Sequence, residues 1–598
     1  MIELKKTRRS RWLLGTLVAA SLTTMGCEPA GDTQTSLLFI TVDTTRADRL
    51  GAYGYGPART PVMDRLAAEG TLFERAYAPA PETLPSHSSM FTGHYPPSHA
   101  VRLNLNFQLP AQAQTLAETL RDGGYHTVAV TSASVLDRSY GLHQGFLTYD
   151  DTRRDGVAER RGDRVTELAL EALDQLDDRP YFLWAHYYDA HSPFDPPAAH
   201  RGDRDLPPDD PQLYDGEIAF VDEEIGKLLE GLDARGQLDD TLIVIVGDHG
   251  ESLGEHGEAY HTLFVYDATI RVPLILRGPG VSEGSRIEEP VSTIDLFTTT
   301  LRLLGFEPPA ATSRSLPGVF SPEDETERIA YAESMAPPFR FGWQALQSVR
   351  TADWLYVRAP EEELYRLDGS DPRQEVNLAF EERSQLAEMR ERLDAALASM
   401  PAIADEEAAG FEPSESELDA LEALGYLSAG DSVDADHEGK DPKDMVEVAE
   451  AYQLARLAAR LGRLEQAEGL LAWTVTVDPD NSGCRRLLGR IRYSLGKYDE
   501  AALDLAMALE PGNDRWDLLV DLAAAEERAG VETASARIER AIDLADRETE
   551  VWRRLGRLRV HAGEIDGARE AFAKVVELEP EDRDAVETLE RLQGSTKS

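Results

Sequence analysis

The chain predicts an α/β domain built on a mostly parallel sheet flanked by helices, then a small C-terminal antiparallel sheet, then an all-α repeat solenoid. Three observations carry this prediction. Short apolar, β-branched runs alternate with helical patterns through the first half of the chain. Polar residues follow those runs at their carboxyl ends, where open α/β sheets hold ligands. The last part of the chain repeats small and large residues at a spacing of about 34 residues.

The elements follow in order. After a short polar linker (28–35), the runs Leu37–Val42, Thr127–Val130, Tyr181–Ala185 and Leu242–Val246 read as strands. Each is almost unbroken in hydrophobicity, as in parallel strands buried on both faces. Thr115–Leu120 and Asp215–Leu232 carry helical patterns between them. Gln344–Arg350, Trp354–Arg358 and Glu362–Arg366 alternate, with turns between them, and predict the antiparallel sheet. The α/β domain is expected over 36–400, an acidic Gly/Ser-bearing linker over 401–445, repeats over 446–582 and a tail over 583–598.

Composition sets outer bounds. A chain of 598 residues exceeds one compact domain. A net charge of −48 repels nucleic-acid phosphates, so no nucleic-acid partner is expected. Two cysteines, Cys27 and Cys484, exclude a disulfide framework. Lys5, Lys6, Arg8, Arg9 and Arg11 precede the apolar run Trp12–Ala20, the pattern of an export signal over 1–27. That run is shorter than the roughly 20 residues of a membrane span. Thr24-Met25-Gly26-Cys27 resembles a bacterial lipoprotein box, with Thr24 where leucine is usual. The resemblance implies export across the inner membrane and a lipid anchor at Cys27, facing the periplasm or cell surface. Arg8-Arg9 departs from a twin-arginine signal at Arg11, where a hydrophobic residue is expected.

In the repeat region, Trp552, Leu555, Gly556, Gly563, Ala568, Phe572 and Pro580 form one unit. Leu488, Gly489, Gly496, Ala501 and Ala508 match it, as do Leu454, Gly462, Ala467 and Pro479, while Trp516–Ala545 is a degenerate unit. The pattern resembles tetratricopeptide repeats, which implies a concave surface for a protein or peptide partner. Cys484 reads as a small packing residue.

The chemistry concentrates at three places. The segment Pro81-Glu-Thr-Leu-Pro-Ser-His-Ser-Ser-Met-Phe-Thr-Gly93 puts a hydroxyl at a helix start. Asp43 closes the first strand, and Asp248-His249 close the fourth between glycines. Singly, each has a plain alternative: Thr83 as a helix cap, Asp43 as a turn former. Together, two acids, an imidazole and a hydroxyl hold a divalent metal against a nucleophile, chemistry suited to phosphate or sulfate esters.

Thr41-Val-Asp43-Thr-Thr-Arg-Ala-Asp-Arg-Leu-Gly51, Thr60-Pro-Val-Met-Asp-Arg-Leu-Ala-Ala-Glu-Gly70 and the Thr83 segment resemble the opening of a sulfatase-family domain. Gly247-Asp-His-Gly-Glu-Ser-Leu-Gly-Glu-His-Gly257, with Arg271-Val-Pro-Leu-Ile275, is similar to the family's second metal-binding block. Leu364-Tyr-Arg-Leu-Asp368 through Asn377-Leu-Ala379 is similar to its C-terminal strand pair. The resemblance spans 36–400 and implies the alkaline-phosphatase superfamily fold with a metal-bound nucleophile.

The departures from that pattern are informative. Sulfatases carry Cys/Ser-x-Pro-x-Arg, whose first residue becomes formylglycine; here the matching residues are Thr83, Pro85 and His87. Threonine cannot form that aldehyde, so no formylglycine is expected. The paired acids of the first strand are reduced to Asp43-Thr44. An unmodified threonine is similar instead to the superfamily's phosphodiesterases and phosphoethanolamine-type transferases.

The resemblance implies a metal set of Asp43, Thr83, Asp248 and His249, with Zn²⁺ or Mn²⁺ favoured over Ca²⁺ for a mixed carboxylate–imidazole site. It implies Thr83, His191 and His261 as catalytic groups, His261 lying where sulfatases carry a sulfate-binding lysine. His87, Arg46 and Arg102 are expected to meet the anionic substrate. Asp189, His191 and His261 are an alternative second-metal set. His256 reads as a loop hydrogen-bonder, and Glu251 is left without a role. The expected function is a metal-dependent hydrolase of phosphate or sulfate esters, phosphate favoured by Thr83. The alternatives are a phospho-headgroup transferase and a catalytically inactive binding scaffold.

Overall fold

The structure, a computed structural model, describes residues 34–594 apart from 105, 153–158, 203–205, 208–209, 321–326, 405–408, 411–437, 510–514, 532, 547, 562 and 581. The expected export signal, Cys27 and the middle of the acidic linker lie outside the described residues. Among the described residues no helix is long and apolar enough to cross a membrane.

The main sheet is built from β1 (Ser36–Val42), β2 (Thr71–Phe73), β3 (His126–Val130), β4 (Thr148–Asp150), β5 (Tyr181–Tyr187), β6 (Thr241–Gly247), β7 (Leu274–Arg277) and β8 (Ser285–Ile287). Their spatial order is β8-β2-β7-β6-β1-β5-β3-β4. All pairings are parallel except the two seams of β7, which runs antiparallel to β6 and to β2. Alternation within β1 explains its unbroken hydrophobicity. Leu37 and Phe39 join Phe182, Trp184, Leu242 and Val244 in one core. Leu38, Ile40 and Val42 join Leu183, Ala185, Ile243 and Ile245 in the core on the other face.

Register places the chemistry. Val42 pairs with Tyr187 on one side and Gly247 on the other, so the chain leaves β1, β5 and β6 at one level. Asp43 and Asp248 therefore emerge side by side. The Thr83–Thr92 helix packs on the same edge of the first core, fully buried, with Phe91 edge-on to Phe39 at 5.4 Å and to Trp184 at 4.8 Å. The Leu116–Asp122 helix starts with a capping box in which Thr115 and Glu118 satisfy each other's backbone N–H.

The expected antiparallel sheet is present and gains a strand, Ala330–Ser334, ahead of Leu346–Arg350, Trp354–Arg358 and Glu363–Arg366. The ends of the expected linker are packed rather than free. Ile403 N–H donates to Ser98 O, Ala409 is buried in the first core, and Lys440 O accepts from Gln344 N–H. Apolar residues in an otherwise acidic stretch account for the difference.

The C-terminal region consists of antiparallel helix pairs. They run Val446–Arg460 with Leu464–Val477, Ser482–Ser494 with Tyr498–Ala508, Trp516–Ala529 with Ala534–Leu544, and Thr549–His561 with Ile565–Leu578. The degenerate unit thus forms a pair like the rest. The expected tail is largely a further helix, Arg583–Gly594, whose Ala585 packs under Phe572 and Val575. Two glycines are required by close packing: a Cβ on Gly489 would lie 2.6 Å from the Leu505 side chain, and one on Gly556 would lie 2.7 Å from the Phe572 ring. Leu454, expected to pack, is 43% exposed, because its helix turns Ala451, Tyr452 and Ala455 inward instead. One hydrophobic cluster runs from Leu263, Phe264, Phe341 and Trp343 to Val448, Tyr452, Cys484 and Leu488, so the first repeats share a core with the α/β domain.

Candidate active site

Thr83 opens its helix, and its hydroxyl lies at the positive end of the helix dipole. Oγ1 donates to Asp43 Oδ2 at 3.3 Å and stands 3.3 Å from His249 Nε2. His249 Nδ1–H donates to the Gly250 carbonyl at 3.0 Å, which turns the Nε2 lone pair toward Asp43 and Asp248. Nε2 lies 3.9 Å from Asp43 Oδ1 and 3.6 Å from Asp248 Oδ2. The other Asp248 oxygen is anchored by the N–H groups of Thr44 at 3.1 Å and His249 at 2.8 Å.

Asp43, Asp248 and His249 offer ligand atoms within 4.8 Å of one another, all fully buried. Asp43 Oδ1 and Asp248 Oδ2 accept no hydrogen bond. Burial, then the charges of Asp248 and Glu251, push the Asp43 carboxyl well above its ordinary value. Such a concentration of buried, unsatisfied carboxylate fits a divalent cation, which neutralises it and reverses that shift.

Thr44, in place of a second acid, sits at φ 49°, a region β-branched residues rarely enter. Its N–H on Asp248 and its hydroxyl on Ala190 O at 2.8 Å hold it there. The strained residue keeps β1's exit, β6's exit and the β5 loop in one arrangement.

His191 and His261 stand at the mouth of the site, their rings 5.0 Å apart, and the His261 ring lies 4.7 Å from that of His249. His261 Nδ1–H donates to Glu251 Oε1 at 2.9 Å, which leaves Nε2 as an acceptor and gives Glu251 its place. His191 stacks on Tyr188 at 4.4 Å and donates from Nδ1 to Ser192 O at 2.6 Å. Burial, then the charges of His249 and His191, hold His261 neutral.

His87 lies beneath the site, its Nδ1–H on the Thr83 carbonyl at 2.8 Å and 3.7 Å from Asp248 Oδ2. Arg46 and Arg102 are both ion-paired. Arg46 forks onto Asp48 and reaches Glu255 Oε1 at 2.9 Å, and Arg102 forks onto Glu333. Both guanidinium groups, expected to meet the substrate, are held by carboxylates. Asp189 accepts from Gly162 N–H at 3.0 Å, and among the described residues no ligand cluster joins it to His191 and His261. His256 donates to Arg373 O at 2.7 Å and stacks on Tyr266.

Three residues at the site carry no strong local signal in the sequence. His186, within β5, places Nε2 3.5 Å from Asp43 Oδ2; a histidine inside a buried strand was its only mark. Asn104 accepts the Leu84 N–H at 2.7 Å, and its own N–H donates to Glu82 Oε2 at 2.7 Å. Glu82, immediately before Thr83, also accepts from Arg340.

Residues 35–306 match the sulfatase family. An uncharacterised sulfatase of Escherichia coli, YidJ, is 25% identical over 343 residues, covering 46% of this chain and 68% of its own. The multifunctional alkaline phosphatase superfamily protein PehA of Trinickia caryophylli is 27% identical over 392 residues, covering 47% of this chain and 75% of its own. The crystal structure of the phosphonate monoester hydrolase of Agrobacterium radiobacter superposes with a TM-score of 0.53 at 22% identity. It covers 61% of this chain and 96% of its own, a likeness of fold. The α/β domain is thus similar in sequence to sulfatases over residues 35–306 and similar in fold to the phosphonate monoester hydrolase.

Proposed function

We propose that the chain is a metal-dependent hydrolase that cleaves phosphoesters by way of a covalent ester on Thr83. The observation that carries this is the Thr83 hydroxyl, at a helix N-terminus, 3.3 Å from both Asp43 and His249. A threonine keeps a hydroxyl nucleophile where sulfatases need an aldehyde hydrate. The relatives named for sulfatase activity and those named for phosphonate ester hydrolysis leave either ester class within the fold's reach.

Asp43, Asp248 and His249, with Thr83, would hold the metal, which supplies Lewis acidity and neutralises charge on the nucleophile and the transferring group. Thr83 Oγ1 forms its bond to phosphorus as its proton is released to water and the bond to the leaving oxygen breaks. His191, at the mouth, protonates that oxygen. Neutral His261, oriented by Glu251, takes a proton from the water that then releases the Thr83 ester. Thr83 takes that proton from His261 as the ester is released, and His191 is reprotonated by the proton first released to water.

The proposal extends to location and partners. An export signal over 1–27 with a lipid anchor at Cys27 would place the enzyme on a membrane surface outside the cytoplasm. The helix pairs, spaced as tetratricopeptide repeats are, would dock a protein or peptide.

The test is turnover of aryl phosphate, bis-aryl phosphodiester and aryl sulfate by metal-loaded protein, with Thr83→Ala as control. Phosphoester turnover lost in the variant supports the proposal. Sulfate turnover alone defeats the phosphoester preference, and transfer to an added alcohol in preference to water makes the enzyme a transferase. No turnover, with no metal retained, leaves a binding scaffold.

A further inference from the structure

Among the places where the first helical repeats meet the α/β domain is the segment Pro337–Trp343. Trp343 Nε1–H donates to Asp478 Oδ2 at 2.7 Å, and Asp478 also binds Lys440 and Asn481. Phe341 stacks on Trp343 at 4.2 Å and meets the Tyr452 ring edge-on at 5.3 Å. The backbone of the segment lies directly against the turn between repeats. A Cβ on Gly483 would come within 2.3 Å of the Arg340 carbonyl oxygen, an approach only glycine allows.

The side chain of Arg340 points the other way, into the active site. Its Nη2 donates to Glu82 Oε1 at 2.7 Å and its Nη1 to Thr262 Oγ1 at 3.0 Å. Glu82 precedes Thr83, and its second oxygen takes the Asn104 N–H, while Asn104 Oδ1 takes the Leu84 N–H. Both chain neighbours of Thr83 are therefore fixed by one network ending on Arg340. Thr262, next to His261, is held at φ 95°, and its carbonyl accepts from Ser334 Oγ.

We infer that the helical region is part of the catalytic apparatus. Through the Pro337–Trp343 segment it sets Arg340, a positioning residue that aligns Thr83 by way of Glu82 and the His261 loop by way of Thr262. Two charged groups buried to more than nine-tenths form a strong hydrogen bond only in good geometry, so a shift of the Arg340 backbone is transmitted to the helix start. Occupancy of the repeats by a partner then has a physical route to the nucleophile. The inference rests on Thr83 as nucleophile, and its test separates the two.

The test uses full-length Gly483→Ala and Arg340→Ala, with Gly469→Ala as the control, since a Cβ at Gly469 meets nothing within 4 Å. Amide hydrogen exchange over 80–92 is read alongside kcat, KM and bound metal. In Gly483→Ala, exchange over 80–92 should rise and kcat fall about tenfold, with KM and metal unchanged. Arg340→Ala should lose about a hundredfold in kcat, and Arg340→Lys should recover part of that loss. Gly469→Ala should match the native protein. Should Gly483→Ala not fold, Trp343→Phe removes the indole N–H bond together with part of the buried ring and should give the same pattern more weakly. Unchanged exchange over 80–92 in both Arg340→Ala and the helical-side variant overturns the inference. A native protein that turns over no ester strikes the Thr83 reading alone, since exchange still reads the coupling.

Discussion

The Thr83 hydroxyl donates to the Asp43 carboxylate at 3.3 Å across 40 residues of sequence. Asp43 directly follows β1, the Thr83 helix packs its aromatic side against the same sheet, and the Ser86 hydroxyl ties that helix to the Asp248 carbonyl at 2.6 Å. The Thr83 hydroxyl is thus referenced to both acid-bearing strands by rigid elements rather than by a loop, as precise placement requires.

Removal of that hydroxyl should be decisive. Thr83→Ala should reduce kcat at least ~10³-fold, while Thr83→Ser, which keeps the oxygen, should retain measurable turnover. Single-turnover kinetics on an aryl phosphodiester distinguishes the two. Comparable losses in both variants would remove Thr83 as the nucleophile.

Metal should be bound at Asp43, Asp248 and His249 and should stabilise the fold. Asp248→Ala should weaken metal binding by at least ~10-fold, read by elemental analysis after dialysis. Chelation should lower the Tm of the native protein, and added Zn²⁺ or Mn²⁺ should restore it by mass action. A Tm indifferent to metal would count against the site.

A pH effect should arise away from the metal. Glu217 is 5% exposed; burial, then the charge of Asp189, raise its carboxyl to about 9, although Asp195 N–H donates to it at 2.7 Å. A carboxyl raised in the folded state contributes stability below its unfolded value of 4.5, and that contribution is lost as the pH climbs toward 9. Glu217→Gln keeps an acceptor and cannot ionise. Its Tm should equal the native value near pH 4 and exceed it by about 3 °C or more at pH 8. Parallel Tm–pH curves would refute the assignment.

The helix start at Thr115 should be worth about 1 kcal/mol. Its Oγ1 accepts the Glu118 N–H at 3.1 Å and donates to the Gln144 carbonyl at 3.0 Å. Thr115→Ala should cost that much in denaturant unfolding, with turnover intact. A neutral result would show that neighbouring contacts, and not the cap, hold the segment.

Among the elements, the sequence announced those whose cause is local. Unbroken apolar runs marked β1, β3, β5 and β6, because strands buried on both faces have no polar side to show. β7 ran antiparallel unannounced, since strand direction depends on how the chain returns to the sheet and not on its residues. Leu454 points outward because helix rotation is chosen by the partners available.

For the site, the sequence by itself determined the chemistry on offer: a threonine where an aldehyde precursor is usual, an acid closing β1, and an acid–histidine pair closing β6. Tertiary structure alone decided the rest. Register brought Asp43 and Asp248 to one level, Arg46 and Arg102 were paired with carboxylates, and His186, Asn104, Glu82 and Arg340 came together from distant segments. The reason is physical. Residue type fixes what a group can do, whereas the partner it spends that capacity on is set by burial and distance, which only the folded chain defines.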